Sequence, residues 1–166
     1  MMKKITTKEI SLSGVLIALA VVGSFISFPI FGSKCAPVQH MVNIIAAVIL
    51  GPFHGVVIAF IASLIRYISG LGTILAFPGS IFGALIAGIV YYKTKNLIAT
   101  GIGEVFGTGI LGALVAYPLA KIFLGEVAGN IAFYTYIIPF LISTIGGSII
   151  ALVLIYGLKK AGVIDI

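Results

Sequence analysis

The chain contains 166 residues, of which 61% are hydrophobic and only 8% are charged. A soluble domain of this size cannot bury so large an apolar fraction, because most of the surface of a small globule is wetted. The composition therefore predicts an integral membrane protein. The net charge of +6 does not indicate a nucleic-acid partner, because the ten Lys and Arg residues are scattered at the ends of apolar segments, as membrane orientation requires.

Six apolar segments follow one another, separated by short polar clusters or by breaks of glycine and proline. The first, Ile10 to Phe31, is long and lacks a clear small-residue cleavage pattern, so we do not interpret it as a cleaved signal peptide. A transmembrane helix needs about 20 residues. We predict an all-α membrane protein, a six transmembrane helix bundle that forms a single integral membrane domain over residues 1–166. The predicted spans are 10–31, 37–50, 54–69, 74–92, 97–123 and 131–158.

The break at residues 51–55 (Gly-Pro-Phe-His-Gly) fits either a turn between two spans or a kink within one helix. The distribution of charge favours the turn. Basic clusters at 3–8, 93–95 and 159–160 fall on one side of the membrane only if residues 37–69 form two spans. The positive-inside rule thus predicts six spans with the N- and C-termini cytoplasmic. The second span is short, which indicates that it tilts or that protein shelters its outer end.

Polar side chains within these segments are candidates for function, because hydrogen-bonding groups are costly against acyl chains. Gln39, His40 and Asn43 begin the second span at its outer side. Their spacing of three and four residues places them on one helical face. They fit the wall of a solute pocket, or the hydrated N-terminus of a helix at the membrane interface.

Two charged residues lie inside predicted spans. Glu104 is about 10 Å into the fifth span at 1.5 Å per residue, and an intramembrane carboxylate is a candidate functional site by default. Arg66 lies near the outer end of the third span, contrary to the positive-inside pattern, and its long side chain can reach towards Glu104. The two fit either an ion pair or direct contact with a ligand. Thr108 follows Glu104 by one turn on the same face.

The outer ends of the later segments carry aromatic and polar residues that suit a small heteroaromatic solute. Phe77 and Ser80 lie at the outer mouth, where the fourth span begins. Tyr117, Asn130 and Tyr134 lie at the outer ends of the fifth and sixth spans. Tyrosines at this depth are also typical of an interfacial aromatic belt.

The sequence contains no motif for catalysis or for ATP hydrolysis. It has no phosphate-binding loop that ends in Lys-Ser or Lys-Thr, no His-Glu-x-x-His metal motif, no Gly-x-Ser-x-Gly elbow and no Cys/His nucleophile pattern. The predicted topology places His40 outside and His54 inside, so the two cannot share a metal ion. We predict no enzymatic activity, no cofactor and no metal site, and we expect a partner or another external source of energy.

Several sequence runs match those of a known family. They are Cys-Ala-Pro-Val-Gln-His-Met-Val-Asn at 35–43, Leu-Gly-Pro at 50–52, Ala-Phe-Pro-Gly-Ser at 76–80 with Phe-Gly-Ala at 82–84, and Gly-Glu at 103–104 with Gly-Thr-Gly at 107–109. Through them the chain resembles the ThiW family over essentially its whole length. Members of this family are substrate-binding S components of energy-coupling factor (ECF) transporters, associated with the uptake of thiamine precursors.

The resemblance implies a six-helix fold in the plasma membrane of a prokaryote and capture of the thiazole precursor hydroxyethylthiazole. It also implies coupling to a transmembrane T component and two cytoplasmic ATPase subunits. S components generally dock through small residues on their first helix, usually in the pattern Ala-x-x-x-Ala. The corresponding residues here are Gly14 and Ala18.

Three alternatives remain open at this point. The substrate could be another heteroaromatic precursor, such as the hydroxymethylpyrimidine. A small intramembrane enzyme acting on a lipid or isoprenoid would need acidic clusters or a nucleophile, which the sequence does not contain. A structural or channel subunit would have no pocket for a small molecule.

Overall fold

The computed structural model describes residues 5–30, 33–125, 132–164 and 166, and within this part of the chain α-helices form one bundle with a short β-hairpin. The strands β1 (Phe28–Ile30) and β2 (Ser33–Cys35) pair antiparallel. A π-helical segment, Gly107–Gly112, joins α5 and α6 into one continuous helix. The helices are α1 (Thr7–Val22), α2 (Pro37–Ile49), α3 (Pro52–Ile68), α4 (Ala76–Thr94), α5 (Leu97–Phe106), α6 (Ala113–Leu124) and α7 (Ile137–Lys160).

Four helical stretches of the described residues are long and apolar enough to cross a membrane: Thr7–Phe25, Ala76–Thr94, Leu97–Leu124 and Ile137–Lys160. The apolar helices α2 and α3 are shorter, with 13 and 17 residues. This architecture agrees with the predicted all-α membrane bundle. The count of six spans and the cytoplasmic position of the termini stay predictions.

Two boundaries differ from the predicted spans. The first helix extends only to Val22, with one further 3₁₀ turn to Phe25, whereas we expected a span reaching residue 31. Strand β1, Phe28–Ile30, follows and is as apolar as a helix, so hydropathy alone does not mark the end of α1. The last helix begins at Ile137 rather than at residue 131. Pro139 lies in its first turn, where the missing N–H of a proline is tolerated.

The break between the second and third segments is a turn, as the charge distribution predicted. Helix α2 ends at Ile49, and Pro52 is the first residue of α3, a position that suits the fixed φ of proline. Between them, Gly51 has φ 86° and ψ 179°, a backbone conformation that is essentially restricted to glycine.

Helix α2 is the most enclosed element of the fold. It packs against α7, α4, α3 and α1, and every residue from Gln39 to Val48 except Ile45 is buried. Thirteen residues of helix rise only about 20 Å, which is less than the hydrocarbon thickness of about 30 Å. Its polar side chains therefore contact neighbouring helices rather than lipid.

Helix α1 lies at the periphery, against α3 and α2. Only Leu16 and Ala20 of this helix are buried. Gly14 and Ala18 are exposed, and no atom of another element lies within 4 Å of the position that a Cβ on Gly14 would take. One face of α1 is thus free of contacts within the described chain.

The turn at Gly51 generates a stability prediction. The substitution Gly51→Ala should lower the free energy of unfolding by about 1–3 kcal/mol, because an L-residue is strained in this conformation. Gly157→Ala is the matched control, because Gly157 is helical and has open space around it. Thermal unfolding in detergent should separate the two variants. Equal stability of Gly51→Ala and the wild type would contradict the observed turn.

Candidate functional site

A cavity opens at the end of the bundle that carries the β-hairpin, which we call the hairpin end. Four helices meet there: α2, α4 and α7 begin at this end, and α3 finishes at it. The cavity contains about 350 Å³ of empty space, part of which is continuous with the surroundings. The described residues that line it are Lys34, Ala36, Gln39, His40, Arg66, Ala76, Gly79, Ser80, Thr108, Pro139, Phe140 and Ser143.

The lining combines apolar surface with a few fixed polar groups. Phe140, Pro139 and the two alanines supply the apolar part, and the polar part comes mainly from α2, α3 and the π-helical segment. This mixture is typical of sites that hold small molecules, because the apolar walls take up the body of a ligand and the polar groups fix its orientation.

Glu104 is fully buried and connects two of the elements that form the cavity. Its Oε1 atom lies 3.0 Å from each of three side-chain atoms: His40 Nδ1, Asn43 Nδ2 and Thr108 Oγ1. An ionised carboxylate can only accept hydrogen bonds, so the histidine Nδ1 and the asparagine amide donate to it. We call these four residues the Glu104 cluster. It joins α2 to the continuous helix formed by α5 and the π-helical segment.

Gly83 on α4 makes room for this cluster. A Cβ atom at this position would lie 2.6 and 2.7 Å from the two carboxylate oxygens of Glu104 and would overlap the Thr108 hydroxyl. A glycine is therefore required for the carboxylate to lie against α4. The second oxygen, Oε2, is buried and has no hydrogen-bond partner among the described residues.

Arg66 reaches the cluster indirectly. Its Nη1 donates to Gln39 Oε1 at 2.8 Å, and the Gln39 amide lies 3.4 Å from Asn43 Oδ1. The ion pair between Arg66 and Glu104 that we considered from the sequence is not formed, and the carboxylate contacts the His40 ring instead, at 3.0 Å. Helix α2 packs against both α3 and α5, so its side chains occupy the intervening space.

The structure brings together most of the polar residues predicted from the sequence. Five of them line the cavity: Gln39, His40, Arg66, Ser80 and Thr108. Asn43 and Glu104 do not line it but hydrogen bond to residues that do. The shared helical face of the three predicted α2 residues therefore faces protein groups and the cavity rather than lipid.

Three predicted aromatic residues lie away from the cavity lining. Phe77 packs against aromatic side chains of α3, Tyr117 lies beneath the Lys121 ammonium, and Tyr134 is 57% exposed. Asn130 lies outside the described residues. Depth along a span does not specify which face of the helix a side chain occupies, because each residue turns the helix by about 100°.

Sequence reasoning missed four polar or bulky lining residues: Lys34, Pro139, Phe140 and Ser143. Two of them also tie segments together. Lys34 Nζ donates to the Leu71 carbonyl at 2.8 Å, and the Ser143 hydroxyl accepts from the backbone N–H of Ala36 at 2.9 Å. Lys34 carried a usable signal, because a lysine on the predicted outer side departs from the positive-inside pattern as Arg66 does. Ser143 carried none, because serines are common in transmembrane helices.

The described residues around the cavity offer hydrogen-bonding and apolar groups to a solute. No group of three His, Cys, Asp or Glu among them could hold a metal ion. Cys35 is buried beside the cavity, with Sγ 3.2 Å from the Pro139 carbonyl. Burial raises the pKa of this thiol, which keeps it protonated and poorly nucleophilic at neutral pH.

The described helices form a membrane bundle with a partly open, partly polar cavity at one end, an arrangement that suits the binding of a small solute. A solved structure described as the S component of a bacterial ECF transporter matches this fold with a TM-score of 0.74. The match covers 92% of this chain and 96% of that chain, at 22% sequence identity. The all-α membrane fold is therefore confirmed, and it is the fold of an S component.

A family model described as "Thiamine-precursor transporter protein (ThiW)" matches residues 10–161. The chain belongs to the ThiW family. No curated protein matches the chain. Membership of this family identifies a thiamine-precursor transporter protein and not an enzyme, and the apolar helices make it a multi-pass protein of the plasma membrane. The predictions of family, location and lack of enzymatic activity are confirmed.

The Glu104 cluster generates a second prediction. Glu104→Leu should lower the free energy of unfolding by about 2–4 kcal/mol, because each buried donor left without a partner costs about 1–3 kcal/mol and some find other acceptors. Glu104→Gln retains an oxygen that can accept the same hydrogen bonds and should stay close to wild type. Thermal unfolding of both variants tests this. If Glu104→Leu unfolds at the wild-type temperature, the cluster does not stabilise the fold.

Proposed function

We propose that this protein is the substrate-capture S component of an ECF-type importer and that its substrate is hydroxyethylthiazole, the thiazole precursor of thiamine. Membership of the ThiW family and the S-component fold support the transporter class. The observation that carries the proposal is the cavity at the hairpin end, with polar groups on α2, α3 and α4 beside the Phe140 ring.

The chemistry of the cavity suits a small ring with a polar arm. Phe140 and Pro139 offer apolar surface to a thiazole ring and its methyl group. Ser80 and His40 can exchange hydrogen bonds with the ring nitrogen and with the hydroxyl of the arm. His40 is already held by Glu104. A group fixed before the ligand arrives loses less conformational freedom on binding, which favours affinity.

The chain has no nucleotide-binding motif, so accumulation of substrate requires partner subunits. We propose a transmembrane T component and two cytoplasmic ATPase subunits. The peripheral helix α1 supports docking to the T component, because Gly14 and Ala18 form a small-residue face without contacts inside the described chain. Small residues four apart let helix backbones approach closely within a membrane.

Calorimetry on the purified chain tests the substrate. Hydroxyethylthiazole should bind and raise the unfolding temperature, whereas hydroxymethylpyrimidine should bind more weakly. His40→Leu should weaken binding about 10-fold or more, because a buried hydrogen bond is lost. Tyr134→Leu is the control, because Tyr134 is exposed and away from the cavity lining.

Each unfavourable result has a distinct meaning. Tighter binding of hydroxymethylpyrimidine would replace the thiazole assignment with the alternative precursor. No binding of either compound to the folded chain would favour a structural subunit. A loss of affinity in Tyr134→Leu but not in His40→Leu would place the site elsewhere.

Co-purification tests the docking face. Gly14→Leu and Ala18→Leu should abolish co-purification with the T component and leave substrate affinity unchanged, because the added bulk prevents close helix approach. Gly157→Leu is the matched control, an exposed glycine of α7 with open space around it. Retention of the T component by both α1 variants would contradict the assignment of this face.

A further inference from the structure

The cavity contains two basic side chains, Arg66 and Lys34, and its described lining includes no acidic one. We propose that the site takes an anionic derivative of this thiazole, a phosphate monoester or a carboxylate, in preference to the neutral hydroxyethylthiazole, and that the anionic group pairs with these two residues. The inference rests on the proposed function for the location of the site and the nature of the ring. It adds the charge of the substrate, which neither the family nor the fold specifies.

The environment of Arg66 favours an anionic ligand. This side chain is 3% exposed, and its hydrogen bond within the described chain goes to the neutral amide of Gln39. Its Nε is buried without a partner. A buried cation normally has a counter-ion, because removing a charge from water is costly unless an opposite charge compensates for it. Arg66 lacks such a partner among the described residues.

The net charge of the site also favours an anionic ligand. Glu104 is the acidic group nearest to the cavity in the hydrogen-bond network, and it is already bound by His40, Asn43 and Thr108. If His40 is neutral, the two positive charges of Lys34 and Arg66 exceed the one negative charge of Glu104. With a protonated His40, the excess of positive charge is larger. The site is therefore positive in either state, and an anionic ligand group would offset the excess.

The positions of the two cations relative to the cavity suit an anionic ligand. Lys34 is an exposed residue of β2, and its ammonium is bound to the Leu71 carbonyl of the α3–α4 loop, whereas Arg66 is buried on α3. An anion entering the cavity has one cation at an exposed position and one at a buried position. A guanidinium presents several N–H donors in a planar arrangement that matches carboxylate and phosphate oxygens. The ring of the same molecule would then pack against Phe140.

Three probes test the charge of the ligand: hydroxyethylthiazole, its phosphate monoester and a thiazole that carries a carboxylate in place of the hydroxyl. Calorimetry uses the purified full chain at low and high salt. At least one anionic compound should bind about 10-fold more tightly than the neutral alcohol, and this advantage should shrink at high salt because ions screen the exposed part of the attraction. Comparison of the two anions distinguishes a phosphate site from a carboxylate site.

Substitutions test the two cations. Lys34→Gln should lower the preference for the anionic compound over the neutral alcohol about 5-fold, because the substitution removes a charge that attracts the anion alone. Arg66→Gln should lower the preference for the anionic compound more than Lys34→Gln does. Arg66→Lys should retain part of this preference, because it keeps the positive charge. Lys121→Gln is the control, because Lys121 packs on Tyr117 away from the cavity lining.

The outcomes separate this inference from the proposed function. If the neutral alcohol binds at least as tightly as both anions, the inference is overturned and the thiazole assignment stands. If no thiazole compound binds to the folded chain, the assignment fails and the inference with it. An unchanged preference for the anion in both Lys34→Gln and Arg66→Gln would also overturn it, even if Arg66→Gln were less stable.

Discussion

The rest of the structure depends on burying the carboxylate of Glu104. A carboxylate at zero exposure needs hydrogen-bond donors, and supplying them to its Oε1 atom fixes several elements at once. Helix α2 must lie beside α5 so that His40 and Asn43 can donate. The π-helical segment must present Thr108, and α4 must offer a glycine at position 83. Stability and site geometry therefore share the same hydrogen bonds.

The network around this carboxylate continues into the cavity without a break. Gln39 joins Arg66 to Asn43, so a change at the buried end of the network alters the positions of groups at the ligand end. Substitutions in such a network are expected to be non-additive, because each residue is the partner of more than one other. Affinity and thermal stability should be measured together for every variant of this site.

The fold class and part of the site were predictable from the sequence because they follow from local spacing. The three polar residues of α2 share a face on any helix, and the intramembrane position of Glu104 marks it as functional. The partner of Glu104 was not predictable, because depth along a span does not define which helices are neighbours. The strand at Phe28–Ile30 and the π-helical segment were missed for a different reason: both are as apolar as a transmembrane helix, so composition does not distinguish them from one.

The shortness and polarity of α2 have a consequence for biogenesis. A translocon releases a chain segment into lipid according to the hydrophobicity of that segment. A 13-residue helix that carries Gln39, His40 and Asn43 is therefore poorly suited to independent insertion. The tight turn at Gly51 places α3 directly after it. We expect these two helices to enter the membrane as a hairpin and α2 to be retained near the translocon until α4 and α7 are made. The binding site would then be assembled late, after its central helix has already been synthesised.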